Sequence, residues 1–250
     1  MLKIENAEVV GWEHVIRGMR NPMNSWEKSD SCTKSPLYCS DYCSKICGDA
    51  TPHVGPNDHN LMMSLAKGGP VHAKYRRMIT VYLDITAPLY WWKEFDTYKV
   101  GTVANSCSTM HKIHAKEFTL EDFSCEHLFE LGKNAGFNDV PLYDKEFWDA
   151  KLLLEMTVKS LNYYRRKYLE AKTKPMKEES KRAEVMKQYW WQMIQLLPTS
   201  YNQKRTVMLN YEVLHNIYHS RKNHKLDEWH VFCDWIKSLP YSELITGETG

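Results

Sequence analysis

The stretch from Asp84 to His111, DITAPLYWWKEFDTYKVGTVANSCSTMH, constrains this chain most, because it changes character twice in under thirty residues. Leading into it, Ile79 to Ile85 (ITVYLDI) is rich in β-branched and aromatic residues and predicts a strand. Pro88 suits the first turn of a helix, where a missing N–H costs little. Tyr90, Trp91, Trp92 and Phe95 then give that helix an apolar face. Beyond Gly101 come Thr102, Asn105, Ser106, Cys107, Ser108 and Thr109, which gather hydroxyl, amide and thiol groups around a single small apolar pair, Val103–Ala104. A strand, a helix and a polar loop in that order can present ligand-binding groups on a rigid support.

The 250 residues allow one large domain or two small ones with a sizeable core. Apolar residues make up 43% and charged residues 26%, as in ordinary soluble globular proteins. A formal net charge of +2 gives no global electrostatic case for nucleic acid or an anionic membrane. No apolar run approaches the roughly 20 residues that a bilayer span needs, and Glu5, Glu8 and Glu13 interrupt the segment where a secretory core would lie. The expectation is a soluble, cytoplasmic protein with neither nucleic acid nor membrane as partner. Nine Trp and fifteen Tyr point to an aromatic core and flat surfaces suited to ring-shaped ligands.

Seven cysteines is an odd number, and in a reducing compartment they are free thiols. Cys32, Cys39, Cys43 and Cys47, with His53 and His59 nearby, admit two readings. Spacings of four place Cys39, Cys43 and Cys47 on one face of a helix, which would suit a metal site and an interaction protein organised around the Cys32–Cys47 cluster. Zinc sites, however, usually pair cysteines two to four residues apart, and the other reading is a Cys-rich loop insertion at about 28–56 carrying reduced thiols.

Leu2 to Val10 reads as a strand, and Asn57 or Asp58 can cap a helix running to Ala66, ended by Gly68–Gly69. Leu120 to Leu131 predicts a helix with Glu121 and Asp122 in its first turn. Past Asp144, Phe147, Leu152, Leu153, Met156, Val158, Leu161, Tyr164 and Tyr168 recur at spacings near three and four, the mark of a long amphipathic helix. Further helices are expected over about 179–197, 205–220 and 226–238. The result is an α+β chain: a small, mostly N-terminal β-sheet and a helical C-terminal half. The regular alternation of a doubly wound parallel sheet is missing.

Several pieces together resemble the flavin-dependent thymidylate synthase family, also called thymidylate synthase complementing proteins, over about residues 65–113 and 190–230. Gly69-Pro70-Val71-His72 sits where that family has a Gly–His before its first core strand. Ala87–Pro88 places Tyr98–Lys99 on the family's Arg-His-Arg signature and Thr102 on its first Ser. Without a gap, Asn105 meets the signature's Glu, Cys107 its second Ser, and Thr109–Met110 its Arg–Tyr. Leu197–Pro198 matches a Leu–Pro, and Asn210, Leu214, Asn216 and Arg221 match the Asn, Leu, Asn and Arg of the family's penultimate helix. The departures are also specific. The triplet reads Thr97-Tyr98-Lys99, and four ligand-contact positions hold Thr109, Asn105, Ile194 and Glu212. Arginine is favoured for phosphate because of its bidentate fork, so these losses argue against unchanged binding of deoxyuridine monophosphate (dUMP).

The resemblance implies one domain over 1–250 with the thymidylate synthase complementing fold, working as a homotetramer. It implies flavin adenine dinucleotide (FAD), with NADPH and methylenetetrahydrofolate as cosubstrates, and reductive one-carbon transfer to a pyrimidine deoxynucleotide such as dUMP. It assigns cofactor binding to His72, Tyr98, Lys99, Asn210, Asn216 and Arg221, substrate binding to Thr102, Asn105, Cys107, Ser108, Thr109 and Arg221, and no protein nucleophile. Each assignment has a plainer reading. Asn210 to Arg221 spans about 16 Å of helix, which suits a dinucleotide but also any helix with polar ends. Thr102–Thr109 can be a polar turn, Tyr98–Lys99 a helix terminus, and Cys107 an ordinary buried thiol. His111 and His114 read as solvated, and Trp190–Trp191 as core. A non-catalytic homologue that binds a nucleotide or flavin is the alternative function.

Overall fold

The computed structural model describes residues 2–32, 53–129, 149–173, 175 and 179–247. Among them lie four strands, β1 (Lys3–Val10), β2 (Thr80–Pro88), β3 (Val103–Ser106) and β4 (Asn202–Asn210). The helices are α1 (Trp12–Arg20), α2 (Pro56–Lys67), α3 (Leu89–Phe95), α4 (Ala150–Thr173), α5 (Glu179–Leu196), α6 (Tyr211–Arg221), α7 (Asp227–Lys237) and α8 (Glu243–Thr246). The strands form one antiparallel sheet of order β1-β2-β4-β3, the mixed helix-and-sheet class expected from the sequence.

The β2–β4 register shows in three pairs: the Tyr211 N–H donates to Ile79 O at 3.1 Å, Asp84 faces Thr206, and the Leu89 N–H donates to Tyr201 O at 3.0 Å. Period-two burial follows, with Val81, Leu83, Ile85 and Ala87 of β2 and Val207 and Leu209 of β4 turned inward. On the other face, Asp84 accepts from Asn6 Nδ2 at 3.0 Å and from Thr206 Oγ1 at 2.7 Å. That polar rung satisfies the Asp84 carboxylate on the face opposite the buried Leu83 and Ile85.

The described residues gather into two compact units, each drawn from separated pieces of chain. The first holds residues within 1–3, 86–95 and 106–205; the second holds residues within 4–85, 96–105 and 206–250. In the first, α4 and α5 pack as a hairpin around Ile113, Phe118, Phe123, Leu154, Val158, Leu161 and Met193. Asn162 crosses that core to accept from Phe118 N at 2.9 Å and donate to Phe118 O at 2.8 Å, satisfying two buried backbone groups. Trp91, Trp92 and Phe95 of α3 are buried in mutual ring contact, with centroids 5.0–5.2 Å apart, as the apolar face predicts. In the second unit, α6 packs against α7, α8 and the 3₁₀ turn Ala73–Met78.

Tertiary pairing overrides local propensity in several places. The expected helix over 120–131 is a single 3₁₀ turn, Leu120–Asp122, boxed by Thr119 and Asp122. Phe123 then leaves for a β-bridge with Tyr201, and the Ser124 N–H donates to Ser200 O at 2.8 Å. Residues 130 and 131 lie outside the described region, as do Asp144 and Phe147 of the expected long helix. The helix expected from 205 begins only at Tyr211, because Lys204 to Asn210 completes β4 beside β2. Pro88 ends β2 rather than opening α3: the Leu89 and Tyr90 N–H groups still donate to Tyr201 O and Thr199 O. Gly55, not Asn57 or Asp58, stands at the α2 cap, and Asp30 reaches across to accept from the Asn57 and Asp58 N–H groups at 2.8 and 3.1 Å.

Candidate functional site

The second unit holds most of the predicted ligand contacts, arranged along α6. At its start the Asn210 carboxamide accepts from Val213 N at 3.0 Å, capping the helix. At its end Arg221 donates through Nε to the Tyr98 hydroxyl at 2.9 Å. The guanidinium carbon lies 5.6 Å from the Tyr98 ring centroid and 4.9 Å from that of Trp229, and the two rings meet edge to face at 6.2 Å. Arg221 is thus a cation set against two rings and pre-oriented by a hydroxyl.

Between these ends the segment 98–101 follows the helix. Gly101 adopts φ +82°, and a Cβ there would sit 3.0 Å from Asn210 Nδ2 and 3.1 Å from Val213 Cγ2. Only glycine allows both the left-handed conformation and the close approach. Tyr98 therefore meets the far end of α6 and Gly101 its beginning. Lys99 between them is exposed, and so is Asn216 on the helix. Next along, Thr102 is half-buried with its Oγ1 shielded from water and without a hydrogen-bond partner, while Asn105 is exposed in β3.

Sequence reasoning missed two participants here. Trp229 is invisible to motif reading because it reaches Arg221 across the α6–α7 turn. Arg76, in the turn before β2, is buried; its Nη1 lies 3.9 Å from Glu212 Oε2 on α6, and Arg76 Nε and Glu212 Oε2 both lack a hydrogen-bond partner. Glu212 was marked by its charge reversal, but nothing in the sequence pairs it with Arg76. Beside Arg76, burial holds the Tyr75 phenol up at about 12 despite the opposing pull of that guanidinium, so it stays protonated and donates to Met62 O at 3.0 Å. His72 is exposed and lines a cavity of about 730 Å3 whose walls are mainly Met19, Met23, Leu61, Leu65 and Met78.

Cys107, Ser108 and Thr109 belong to the first unit. Cys107 is exposed, against the expectation of a buried thiol, because its backbone is held at the sheet edge: its N–H donates to Lys204 O at 2.9 Å and its carbonyl accepts from Gln203 Nε2 at 2.7 Å. Ser108 Oγ accepts from the Met110 and His111 N–H groups at 3.2 and 2.8 Å, making a local turn, and Thr109 is half-buried. His114 is half-buried rather than solvated, and Trp191 is exposed while Trp190 packs against the core. Cys39, Cys43 and Cys47 lie outside the described residues, among which no three potential metal ligands cluster. Cys32 and His53 exchange backbone hydrogen bonds of 2.9 and 3.0 Å, joining the two ends of that segment. No described helix is long and apolar enough to cross a membrane.

No family model matches the sequence, and neither does any curated protein. Solved structures do. Thymidylate synthase X from Helicobacter pylori with FAD and dUMP aligns over 99% of this chain and 98% of its own, at 13% identity and a TM-score of 0.57. Flavin-dependent thymidylate synthase from the same organism, complexed with FAD and dUMP, aligns over 98% of each chain at 16% identity and a TM-score of 0.56. The UMP/dUMP methylase PolB from Streptomyces cacaoi, bound with 5-Br dUMP, aligns over 99% of this chain and 94% of its own at 11% identity and a TM-score of 0.51. The fold is that of the flavin-dependent thymidylate synthases, carried on a widely diverged sequence.

Proposed function

We propose that this chain is a divergent nucleotide-methylating flavoprotein. It binds FAD and a pyrimidine deoxynucleotide such as dUMP, and transfers one carbon reductively with NADPH and methylenetetrahydrofolate as cosubstrates. The observation that carries the reading is the Arg221–Tyr98 contact at the end of α6, in a fold whose neighbours were solved with FAD and dUMP. The residues present fit a flat, phosphate-bearing group. Arg221 supplies a charge-assisted donor and Lys99 an exposed point charge. Tyr98 offers a half-exposed ring backed by the buried Trp229, and the unpartnered Thr102 Oγ1 gains a partner from a bound polar atom. The flavin supplies the hydride chemistry when bound; the chain's own part is to bind, orient and neutralise charge, and no residue acts as nucleophile.

The purified protein is expected to be yellow, or to turn yellow with the spectral shift of bound flavin when FAD is added. A colourless protein that takes up no flavin removes this reading. The alternative, a non-catalytic flavin- or nucleotide-binding homologue, is favoured by one observation: Arg221 Nε and the Asn210 carbonyl are both engaged within the protein. Tritium release from 5-tritiated dUMP, with NADPH and methylenetetrahydrofolate present, separates the two.

A homotetramer is part of the proposal. Leu152, Leu153, Met156 and Tyr163 of α4 are each about half exposed, from 47% to 53%, more apolar surface than an isolated helix face usually leaves to water. Light scattering after size exclusion is expected to give an assembled mass for the wild type and a lower one for the double variant Leu153→Glu, Met156→Glu. A monomeric wild type at micromolar concentration would contradict the assembly.

A further inference from the structure

The α4–α5 hairpin of the first unit contains a cavity of about 500 Å3 lined by Tyr168 on one helix and mainly by Glu179, Arg182, Met186, Lys187 and Trp190 on the other. That size lies within the roughly 300–1,000 Å3 of small-molecule sites. The chain at 110–114 lies against the same two helices. Trp190 Nε1 donates to Met110 O at 2.9 Å, Arg165 Nε donates to His114 O at 3.0 Å, and the His114 ring sits 4.4 Å from that of Tyr168. His114 Nδ1 is shielded from water and has no hydrogen-bond partner.

Cations also gather around His114, which packs on the Tyr168 wall of the cavity. Burial first, then Lys172, Lys112 and Arg165, hold the His114 imidazole below its usual pKa. Among the described residues no carboxylate forms an ion pair with any of those three cations. At the cavity itself Arg182 donates to Glu179 at 2.8 Å, while Lys187 is exposed. Two aromatic rings, an apolar thioether and two cations, one of them paired with the Glu179 carboxylate, leave the pocket a net positive charge beside ring surfaces, which suits a flat heteroaromatic ring joined to an anion. Aromatic side chains stack on any nucleobase, and guanidinium and ammonium groups together suit a phosphate.

We propose that this cavity binds a free nucleoside phosphate, its base against Tyr168 and Trp190 and its phosphate on Arg182 and Lys187. Its residues belong to the first unit, and those of α6 to the second. The net charge of +2 gives no global attraction for a polynucleotide, and the cavity's size suits a mononucleotide.

Equilibrium dialysis of the full chain tests this with AMP, adenosine and inorganic phosphate, all in an Arg221→Ala background so that binding at α6 is weakened. AMP is expected to bind about tenfold or more tightly than either fragment alone, since ring and phosphate act together. Lys187→Gln is expected to weaken AMP by about tenfold, and Tyr168→Leu by a similar factor while leaving phosphate unchanged. Lys187 is exposed, so its variant keeps the test valid should Tyr168→Leu lose its fold by circular dichroism. AMP binding no tighter than phosphate, AMP binding indifferent to Lys187→Gln, or no AMP binding in the Arg221→Ala background would each overturn the proposal.

Discussion

Arg221→Ala is expected to weaken flavin binding by about two orders of magnitude while leaving the far-ultraviolet circular dichroism unchanged. A hydrogen bond to a charged group contributes about 1.5–3 kcal/mol, and about 2.8 kcal/mol corresponds to a hundredfold in affinity. Arg221 lies at the C-terminal end of α6, half-buried, where water can enter once its side chain is removed. The Tyr98 hydroxyl and the Tyr98 and Trp229 rings hold its guanidinium in place at the end of the helix. Arg221→Lys keeps the charge but loses the planar fork and the ring stacking, so it should fall between the two. Tyr98→Phe removes only the hydroxyl acceptor and should cost about tenfold or less. Flavin fluorescence titration reads all three. Wild-type affinity in Arg221→Ala would show that the cofactor, if bound, uses another part of the molecule.

How far this site was legible in the sequence depends on what kind of information each residue needed. Asn210 and Arg221 stand at the two ends of one helix, where spacing translates directly into position, whereas Tyr98, between α3 and β3, was matched only through the family resemblance. The role of Asn210 was not legible: a residue matched as a ligand contact caps its own helix, and an Asn before a helix is read equally well either way. Trp229 and the Arg76–Glu212 pair depend on contacts between residues far apart in the chain. No periodicity encodes such contacts in a single sequence.

The same division runs through the fold. Amphipathic α4 was visible because burial imposes a period on it, and β2 because its residues are β-branched and aromatic. β4 was hidden because Lys204, Arg205, Met208 and Asn210 interrupt its apolar alternation, and its helix-like reading yields only to the ladder with β2. The turn at 120–122 carries sound helix-start chemistry, a full capping box, and stops because Phe123 pairs with Tyr201. Local rules are obeyed there, and a non-local partner decides how long they apply.

Asp58→Ala is expected to destabilise the protein by about 3–5 kcal/mol, the range for removing one partner of a buried ion pair. Asp58 is fully buried on α2, and its Oδ1 accepts from Arg20 Nε at 2.6 Å. Its Oδ2 accepts from Ser29 Oγ at 2.7 Å, Ser31 Oγ at 2.6 Å and Asp30 N at 3.2 Å. Arg20 spends its other nitrogens on Ser25 O and Lys28 O, so one carboxylate organises the whole turn between α1 and Ser31. Without it a buried guanidinium and three donors lose their acceptor. At roughly 2–4 °C per kcal/mol for a chain of this size, the melting temperature should fall by about 6–20 °C.

The same group sets a pH dependence. Burial by itself would raise the Asp58 pKa, but the hydrogen bonds from Ser29, Ser31 and Arg20 and the Arg20 charge outweigh it and hold the carboxyl below its usual 3.8. A folded-state pKa below the unfolded one adds stability that is complete above about 3.8 and is lost as pH falls through the folded value. Urea melts from neutral pH down to pH 3 should therefore show the gap between wild type and Asp58→Ala narrowing below pH 4. A gap that stays constant across that range, or one smaller than about 1 kcal/mol at neutral pH, would mean that water satisfies Arg20 and the serines as well as the carboxylate does.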